Sequence, residues 1–465
     1  MAYREPGVYL EVINNPRGGI IQGIQMVPLI IGSGAKKLKT TVAITRASSG
    51  QVDTMPFTSV VSIEHIGTSK TGASTWVRTT DSLDPQDYTF VSGDNYLTWE
   101  TGKGPAAGSI YYVTVIYNVE SSQYEFKTCY VIKDVIDNYG PDIQENESET
   151  PICPVSLAAQ LCLLQGAPLV HVLQVEMAGS TPTASEYSTA LETYAKFEPS
   201  IWRIIPVDQS SDIEAVVTNH VNFMSTVEER MERCAFYGKP YTSLDPAPTT
   251  FDGSDGVLTK IGDYATGIEN QRITVIYPDV ATRTLSDGST RDLAAPFILA
   301  ALAGAKAALP TQRSMTRMSI TGFIDLKGVK MTRTEKNALA QKGVMILEQS
   351  ASASPIVVRH QLTTDMTSTQ SRENSILEIQ DYCSKQYRVA CEPYIGKYNI
   401  TSQLVTMVRG TLDVTSLSMI KAGIIDTAKI DDIHQDADNP DTLIVSLSVL
   451  PPYPCNYIDI TLVLE

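Results

Sequence analysis

The sequence lacks the residue patterns that usually mark a metal or disulfide site. Its 465 residues include 7 cysteines, an odd number, with no C-x-x-C pair and no pair of histidines at zinc-ligand spacing. A disulfide framework is not supported either. The adjacent acids Asp431 and Asp432 could bind a cation, but the residues after them have neither the glycine nor the terminal glutamate of a calcium loop. The sequence therefore predicts no metal and favours a solvated acidic loop here.

Motifs of catalysis and cofactor binding are also missing. There is no G-x-S-x-G, H-E-x-x-H, G-x-G-x-x-G or G-x-x-x-x-G-K-[ST] pattern, and Gly32, Gly34 and Lys36 have the wrong spacing for a phosphate loop. His171 lies in an apolar strand and His220 on a predicted helix, neither beside a carboxylate or cysteine in a recognised pattern, so both are expected to be structural. The sequence predicts no catalytic residue, no cofactor and no enzyme.

Long apolar runs and an excess of positive charge are absent as well. No stretch approaches the ~20 apolar residues of a membrane helix, and residues 1–6 lack the apolar run of a signal peptide. We therefore expect no membrane insertion and a cytosolic location in the cell that makes the chain. The net charge of −16 argues against direct binding of nucleic acid, which depends on clustered lysine and arginine.

Charge is unevenly distributed along the chain. Residues 311–345 contain seven basic side chains against two acidic ones, whereas residues 134–149 and 426–441 are acidic. One interpretation is that these are solvated loops and helix faces. The other is that they are complementary patches between copies of the same protein, where charge sets register and specificity more than affinity.

What the sequence does contain is the composition of a folded protein of several domains. Its apolar share is 43% and its charged share 19%, and its length implies two or three domains. Residues 8–13 are rich in β-formers and are followed by Pro16 and two glycines, which predicts a short strand on a flexible hinge. Residues 24–31 predict a buried strand. Short β-branched and aromatic segments between residues 41 and 133 predict an inserted all-β sandwich or barrel.

After residue 150 the pattern changes to alternating helices and strands. Ser211 and Glu214 are expected to form a capping box at the start of the helix 212–232, and Thr334 is expected to cap a short helix that ends at Gly343. The other predicted helices are 154–166, 257–266 and 293–308, and the strands are 169–175, 201–205, 234–237, 273–277 and 344–347. Such alternation predicts a mostly parallel sheet flanked by helices.

The C-terminal part combines helices with an isolated strand. Apolar spacing predicts two long helices at residues 372–391 and 402–420, and a strand at 442–450. Three prolines between residues 451 and 454 then precede residues 457–464, whose strong alternation predicts a terminal strand. The predicted fold class is α/β, with an inserted all-β domain and extended N- and C-terminal arms. The boundaries are residues 1–20 for the N-terminal arm, 21–40 and 134–365 for the α/β core, 41–133 for the β domain, 366–452 for a C-terminal subdomain with paired helices, and 453–465 for the C-terminal arm.

This order of elements resembles that of the contractile tail sheath family, over essentially the whole chain. The segments that carry the resemblance are PGVYLE at residues 6–11, VPLIIG at 27–32, SLAAQ at 156–160, REN at 372–374 and YIGKYN at 394–399. The resemblance implies a structural subunit, without a cofactor, that polymerises as stacked hexameric rings around a tail tube and contracts to drive the tube through a target cell envelope. It also implies contacts with the tail tube protein and with baseplate and tail terminator proteins, in the tail of a phage or phage-derived particle assembled in the host cytoplasm.

In similar sheaths the terminal arms of one subunit complete a small sheet in adjacent subunits, and an inner C-terminal region touches the tube. The arm residues that match here are Val8, Tyr9, Leu10, Val12, Tyr457, Ile458, Ile460, Leu462 and Leu464. The candidate tube-facing charges are Lys385, Arg388, Lys397 and Arg409.

Alternatives to this interpretation concern the whole protein and the arms. Another tail or baseplate protein would also lack catalytic motifs and carry exposed strands, and an α/β enzyme with an appended β domain could have catalytic residues scattered through its loops. Each arm could instead be an edge strand paired within its own subunit, or a frayed terminus.

Overall fold

The computed structural model describes most of the chain, with gaps near the N-terminus and in several loops. The described residues are 26–34, 37–47, 51–57, 60–71, 73–76, 87–118, 124–143, 153–177, 181–242 and 244–462. The predicted N-terminal strand at residues 8–13 and its hinge therefore lie outside the described residues, as does Leu464.

The strands and helices alternate through most of the described chain. The strands are β1 (Val27–Gly32), β2 (Lys37–Thr45), β3 (Val52–Thr54), β4 (Val60–Gly67), β5 (Tyr88–Thr89), β6 (Tyr96–Trp99), β7 (Ile110–Asn118), β8 (Lys127–Cys129), β9 (Val170–Gln174), β10 (Ile201–Pro206), β11 (Cys234–Tyr237), β12 (Ile273–Tyr277), β13 (Val280–Thr284), β14 (Thr290–Ala294), β15 (Ser319–Ile320), β16 (Asp325–Lys327), β17 (Val344–Glu348), β18 (Ile356–Val358), β19 (Thr427–Gln435) and β20 (Leu443–Leu450). The helices are α1 (Ile132–Tyr139), α2 (Pro154–Leu164), α3 (Ala184–Ala190), α4 (Ser211–Met224), α5 (Tyr264–Ile268), α6 (Ala295–Ala307), α7 (Arg333–Gln341), α8 (Thr369–Arg372), α9 (Asn374–Cys391) and α10 (Ser402–Lys421).

A nine-stranded mixed sheet forms the centre of the molecule, in the order β15-β18-β17-β12-β11-β10-β1-β9-β8. The six strands from β17 to β9 are parallel to their neighbours, and β8, β18 and β15 pair antiparallel at the two edges. The parallel strands β1, β9, β10, β11 and β12 are buried along their whole length, as expected for strands that helices cover on both faces. The predicted mixed α/β class is therefore confirmed.

The two faces of this sheet border two separate apolar cores. Successive residues of a strand point to opposite faces, so Ile30 of β1 packs in one core, whereas Leu29 and Ile31 pack in the other. Helices α2 and α6 cover the Ile30 face and approach each other closely at Gly304, where an added Cβ would lie 2.0 Å from the carbonyl oxygen of Cys162. Only glycine fits this crossing.

Smaller antiparallel sheets account for most of the remaining strands. Residues 37–118 contain two three-stranded sheets, β2-β7-β4 and β3-β6-β5. The buried carboxylate of Asp53 accepts hydrogen bonds from Trp99 Nε1 at 2.7 Å and from the Tyr111 hydroxyl at 2.8 Å, which joins the two sheets through side chains. Strand β8 instead pairs with β9 in the large sheet. A third small sheet, β14-β13-β16, follows β12.

Two helix starts differ from the sequence-based prediction. Helix α4 is capped by Ser210, whose side chain accepts from Ile213 N at 3.3 Å, and not by Ser211; the helix ends at Met224 and not at residue 232. The predicted capping box is wrong because Glu214 turns inward, where it is 5% exposed and bonded to Tyr264.

Helix α7 is likewise capped by Thr332 and not by Thr334. The Glu335 carboxylate accepts from Thr332 N at 2.6 Å, and Thr332 Oγ1 accepts from Glu335 N at 3.3 Å. This reciprocal pair needs a glutamate three residues after the cap, a condition that Thr332 meets and Thr334 does not.

Candidate assembly interface

A helix-backed hairpin dominates the C-terminal part of the chain. Helix α10 packs on the hairpin of β19 and β20 through a buried cluster of Leu404, Val408, Leu412 and Ile433. The solvated acidic loop expected at Asp431 and Asp432 is wrong, because both residues lie within β19, where a bulge between Ile430 and Asp432 interrupts the register. Ala428 and Ile430 alternate with polar residues up to the bulge, and this alternation was the signal for the strand.

Both outer edges of this hairpin are open within the described part of the chain. Strand β19 pairs with β20 and with no other described strand, and the same holds for β20. An open edge presents unpaired backbone N–H and C=O groups to any extended segment that can align with it. Because a two-stranded hairpin has two such edges, it can accept two additional strands.

The C-terminal segment leaves this hairpin in an extended form. Residues 451–462 form no helix or strand, so the predicted strand at residues 457–464 is unpaired over its described part. The side chains of Tyr457, Ile458, Ile460 and Leu462 are 72, 78, 85 and 80% exposed. An alternating apolar segment with such exposure has the pattern of a β-strand but buries no face in its own subunit. Pairing within the subunit is therefore not seen for residues 457–462.

The four candidate tube-facing charges separate into two classes. Lys385 is only 9% exposed and donates to the carbonyl oxygen of Pro199 at 3.3 Å, so its expected surface position is wrong. Burial lowers the pKa of Lys385, and the nearby carboxylates of Asp381 and Glu232 oppose that effect.

Arg388 donates to both oxygens of Glu232, at 2.5 and 2.6 Å, and is likewise engaged within the subunit. Lys397 and Arg409 are exposed and carry no ion pair among the described residues. Of the four, these two remain available to a partner.

An apolar groove lies beside Arg409 on the outer side of α10. Its volume is about 490 Å³, and its lining residues are Tyr394, Thr406, Met407, Gly410, Thr411, Val414 and Thr415. A Cβ added at Gly410 would meet no atom within 4 Å, and Val414 is 69% exposed. The backbone of another chain could approach α10 closely at this glycine.

Buried ion pairs fix helix α9 to the large sheet. The Glu378 carboxylate lies 3.4 Å from Arg203 Nη2 on β10 and 3.2 Å from Lys306 Nζ at the end of α6. All three side chains are at most 6% exposed. Burial lowers the pKa of Lys306, and Glu378 opposes this shift. Helix α9 and the α/β core therefore form one packed unit at this contact.

The carboxyl ends of the parallel strands, where α/β enzymes commonly bind ligands, are filled by internal contacts at β1 and β10. The Asp208 carboxylate accepts from Ser33 N at 2.5 Å and from the Tyr187 hydroxyl at 2.9 Å. A Cβ added at Gly32 would lie 2.7 Å from Val207 Cβ. No group of three or more His, Cys, Asp or Glu side chains suited to a metal ion occurs among the described residues.

The two histidines singled out in the sequence are held by internal hydrogen bonds. His171 lies between Thr128 Oγ1 at 3.0 Å and Ser200 Oγ at 2.7 Å, and His220 Nε2 lies 2.5 Å from Arg233 Nη1. Burial lowers the pKa of each to about 4.

In the part of the chain that the structure describes, no helix combines the length and apolar character needed to cross a bilayer.

Sequence comparison identifies one curated relative. The chain is 28% identical over 331 residues to the tail sheath protein of Mycobacterium phage Bxz1, a match that covers 70% of the chain and 53% of the phage protein. The chain thus spans about half the length of the curated relative it matches. No family model matches the chain.

Structure comparison identifies the same class of protein. The chain superposes with a TM-score of 0.59 and 11% identity on the anti-feeding prophage helical sheath in its contracted state, and with a TM-score of 0.58 and 11% identity on a chain of the anti-feeding prophage baseplate, each over the full length of both chains. The contracted PVC sheath of an extracellular contractile injection system gives 0.54 with 12% identity, over 74% of this chain and 89% of the other. At these identities the likeness shows a shared fold. The resemblance inferred from the sequence, to contractile tail sheath proteins, is confirmed.

Proposed function

We propose that this chain is the sheath subunit of a contractile tail, which polymerises as stacked rings around a tail tube and contracts to drive the tube through a target cell envelope. The sequence match to a phage tail sheath protein and the fold shared with contracted sheaths support this function. The role is structural, with no catalytic step and no cofactor.

The observation that carries the proposal is that one chain contains both an open strand edge and an unpaired strand-like segment. The β19–β20 hairpin has two open edges, and residues 457–462 form an exposed, alternating segment that pairs with nothing in its own subunit. The backbone N–H and C=O groups of this segment find no partner strand within the subunit, and an open hairpin edge of a second copy can supply their hydrogen bonds.

In the assembled sheath, the C-terminal arm adds to a hairpin edge of one neighbour. Its arm residues are Tyr457, Ile458, Ile460, Leu462 and Leu464. The N-terminal arm, with Val8, Tyr9, Leu10 and Val12, adds to the second edge of a hairpin in another neighbour. Each subunit is then tethered through strands while its folded body remains free to change its packing.

The folded body moves as a unit during this change. The buried contact of Glu378 with Arg203 and Lys306 supports rigid movement of α9 with the large sheet, because separating these groups would leave charges without partners in the interior. The inserted β domain, residues 41–133, and the other boundaries inferred from the sequence stay predictions.

The tube lies against the outer side of α10. Lys397, Arg409 and the groove at Gly410 are the features that support this placement, since they are exposed and unused within the subunit. The rings are hexameric, and the ends of the sheath contact baseplate and tail terminator proteins. The particle is a phage tail or a phage-derived injection system, assembled in the host cytoplasm.

Negative-stain electron microscopy of the purified chain tests the proposal. The full-length protein is expected to form long hollow tubes, and a variant lacking residues 457–465 is expected to stay folded but form none. Circular dichroism supplies the measure of folding, and the described part of the deleted segment, residues 457–462, has exposed side chains.

Two double variants separate strand pairing from a general effect of the terminus. Ile458→Ser with Ile460→Ser removes the apolar side of the arm, whereas Asp459→Ser with Thr461→Ser alters the opposite side. Only the first pair is expected to abolish tubes. Normal tubes from the truncated chain would refute arm pairing, and monodisperse monomers of the full-length chain over a range of salt would refute the sheath function.

A further inference from the structure

The root of the C-terminal arm is held in place although it belongs to no helix or strand. Asn456 follows the prolines of residues 451–454 and is half-buried. Its Nδ2 lies 3.0 Å from Glu373 Oε1 and 3.1 Å from His360 Nε2, both in the body of the subunit. The hydrogen bond to Glu373 links two residues separated by 83 positions in the chain.

Glu373 is the centre of this contact. Its side chain is fully buried, and its carboxylate accepts from His360 Nε2 at 2.7 Å and from Gln361 Nε2 at 3.1 Å. Because His360 Nε2 directs its proton to the carboxylate, the Asn456 amide donates to the carboxylate and not to the histidine. Loss of the amide would remove one donor from a buried charged acceptor.

The contact is connected to the rigid part of the molecule. Glu373 immediately precedes α9 and occupies its N-cap position, and α9 is fixed to the sheet by the Glu378 ion pairs. The arm root is thus attached to an element that cannot move independently of the body.

The boundary between held and free residues is sharp. The Tyr457 ring lies edge-on to His360, with ring centroids 6.4 Å apart, but Tyr457 is already 72% exposed. Ile458 and Ile460 beyond it are still more exposed, and no hydrogen bond of their side chains is possible.

We infer that Asn456 is the fixed anchor of the C-terminal arm, so that only residues 457–465 exchange between subunits. Nine residues in extended form reach at most about 30 Å, which sets the largest distance between this anchor and the hairpin edge that the arm can pair with. The exchange of the arm between subunits rests on the proposed function, whereas the attachment of its root at Asn456 does not. The anchor persists in the unassembled subunit and keeps the arm directed before it pairs, which reduces the conformational entropy lost on assembly.

The test measures the position of the root of the arm in the unassembled subunit. Spin labels are attached at the native, exposed Cys455 beside the anchor and at Gln341→Cys on α7, in a background with Cys391→Ser, and the distance distribution is recorded by double electron–electron resonance. The anchor is removed by Asn456→Leu. The matched control is Asn439→Leu, which removes an amide that donates to Asp436 at the exposed tip of the hairpin.

A single narrow distance peak is expected for the parent and for N439L, with loss of that peak in N456L. A broad distribution in the parent, or an unchanged narrow peak in N456L, would overturn the inference. Asn456→Ser, a smaller change with the same expected result, serves if the leucine variant does not fold by circular dichroism. Since no assembly is involved, normal tubes from the truncated chain would refute arm pairing without affecting this result.

Discussion

Arg272 and Asp381 form a bidentate ion pair that joins the start of the central strand β12 to helix α9. Arg272 Nη1 lies 2.8 Å from Asp381 Oδ2 and Nη2 lies 3.0 Å from Oδ1, and the carboxylate also accepts from Trp202 Nε1 at 2.8 Å. Asp381 is 1% exposed and Arg272 11%. Together with the Glu378 contacts, this pair makes α9 part of the rigid body.

The first prediction concerns this ion pair. Asp381→Asn keeps the size of the side chain but leaves Arg272 buried without its counter-charge, and breaking one side of a buried pair typically lowers the free energy of unfolding by about 3–5 kcal/mol. Urea unfolding followed by tryptophan fluorescence measures the change, since Trp202 contacts the altered group. Asp137→Asn, in the exposed pair with Lys133, is expected to cause no measurable shift. Equal midpoints for the two variants would contradict the prediction.

The second prediction concerns the pH dependence of stability. Burial raises the pKa of Glu214 to about 8 from an ordinary 4.5, although the Tyr264 hydroxyl and Lys239 act in the opposite direction. A carboxyl whose pKa is raised by folding stabilises the protein fully below pH 4.5, and this contribution is lost as the pH rises through about 8. The loss is at most about 1.4 kcal/mol for each pH unit.

Glu214→Gln removes this titration. The stability of the parent relative to E214Q is therefore expected to fall as the pH is raised from 4.5 to 8, as measured by urea unfolding at several pH values. The exposed Glu228→Gln is the control and is expected to show the same fall in stability between pH 4.5 and 8 as the parent. A constant difference between the parent and E214Q over this range would show that Glu214 does not titrate there.

The third prediction concerns contact with the tube. Lys397→Glu combined with Arg409→Glu is expected to reduce co-sedimentation of the subunit with preformed tubes of the tail tube protein. The reduction is expected to shrink as salt rises, because exposed charges are screened over about 8 Å at physiological ionic strength. Lys133→Glu, a charge reversal at another exposed lysine, on α1, is the control. An equal loss of binding with K133E, or unchanged binding with the double variant, would exclude a specific role for these charges.

Much of the secondary structure was predictable because it depends on local periodicity. The helices predicted at residues 372–391 and 402–420 correspond to Asn374–Cys391 and Ser402–Lys421, each within two residues. At α4 two neighbouring serines, Ser210 and Ser211, could each cap the helix, whereas at α7 the Thr332 and Glu335 pair met the capping rule in the sequence and Thr334 did not. Only the inward turn of Glu214, which tertiary packing decides, distinguishes the two serines.

The tertiary contacts of the candidate interface were beyond sequence reasoning. Lys385 and Arg388 were expected on the surface from their positions in the helical pattern, but their partners Pro199 and Glu232 lie 186 and 156 residues away. Neither spacing nor composition reveals such pairs. The anchor at Asn456 was missed for the same reason, whereas the alternation of residues 457–464 was visible because it repeats every two residues.

The two open edges of the β19–β20 hairpin have a consequence for the energetics of contraction. Under the proposed exchange each subunit offers two hairpin edges and donates two arms. The number of edges therefore equals the number of arms, and each arm in the sheath pairs with one edge. The same backbone hydrogen bonds then exist in the long and the short form of the sheath, and they cancel from the difference in free energy between the two. Substitutions in the arms should consequently change the amount of sheath that forms. The free-energy difference between the long and the short form then depends on the side-chain contacts between the folded bodies of neighbouring subunits.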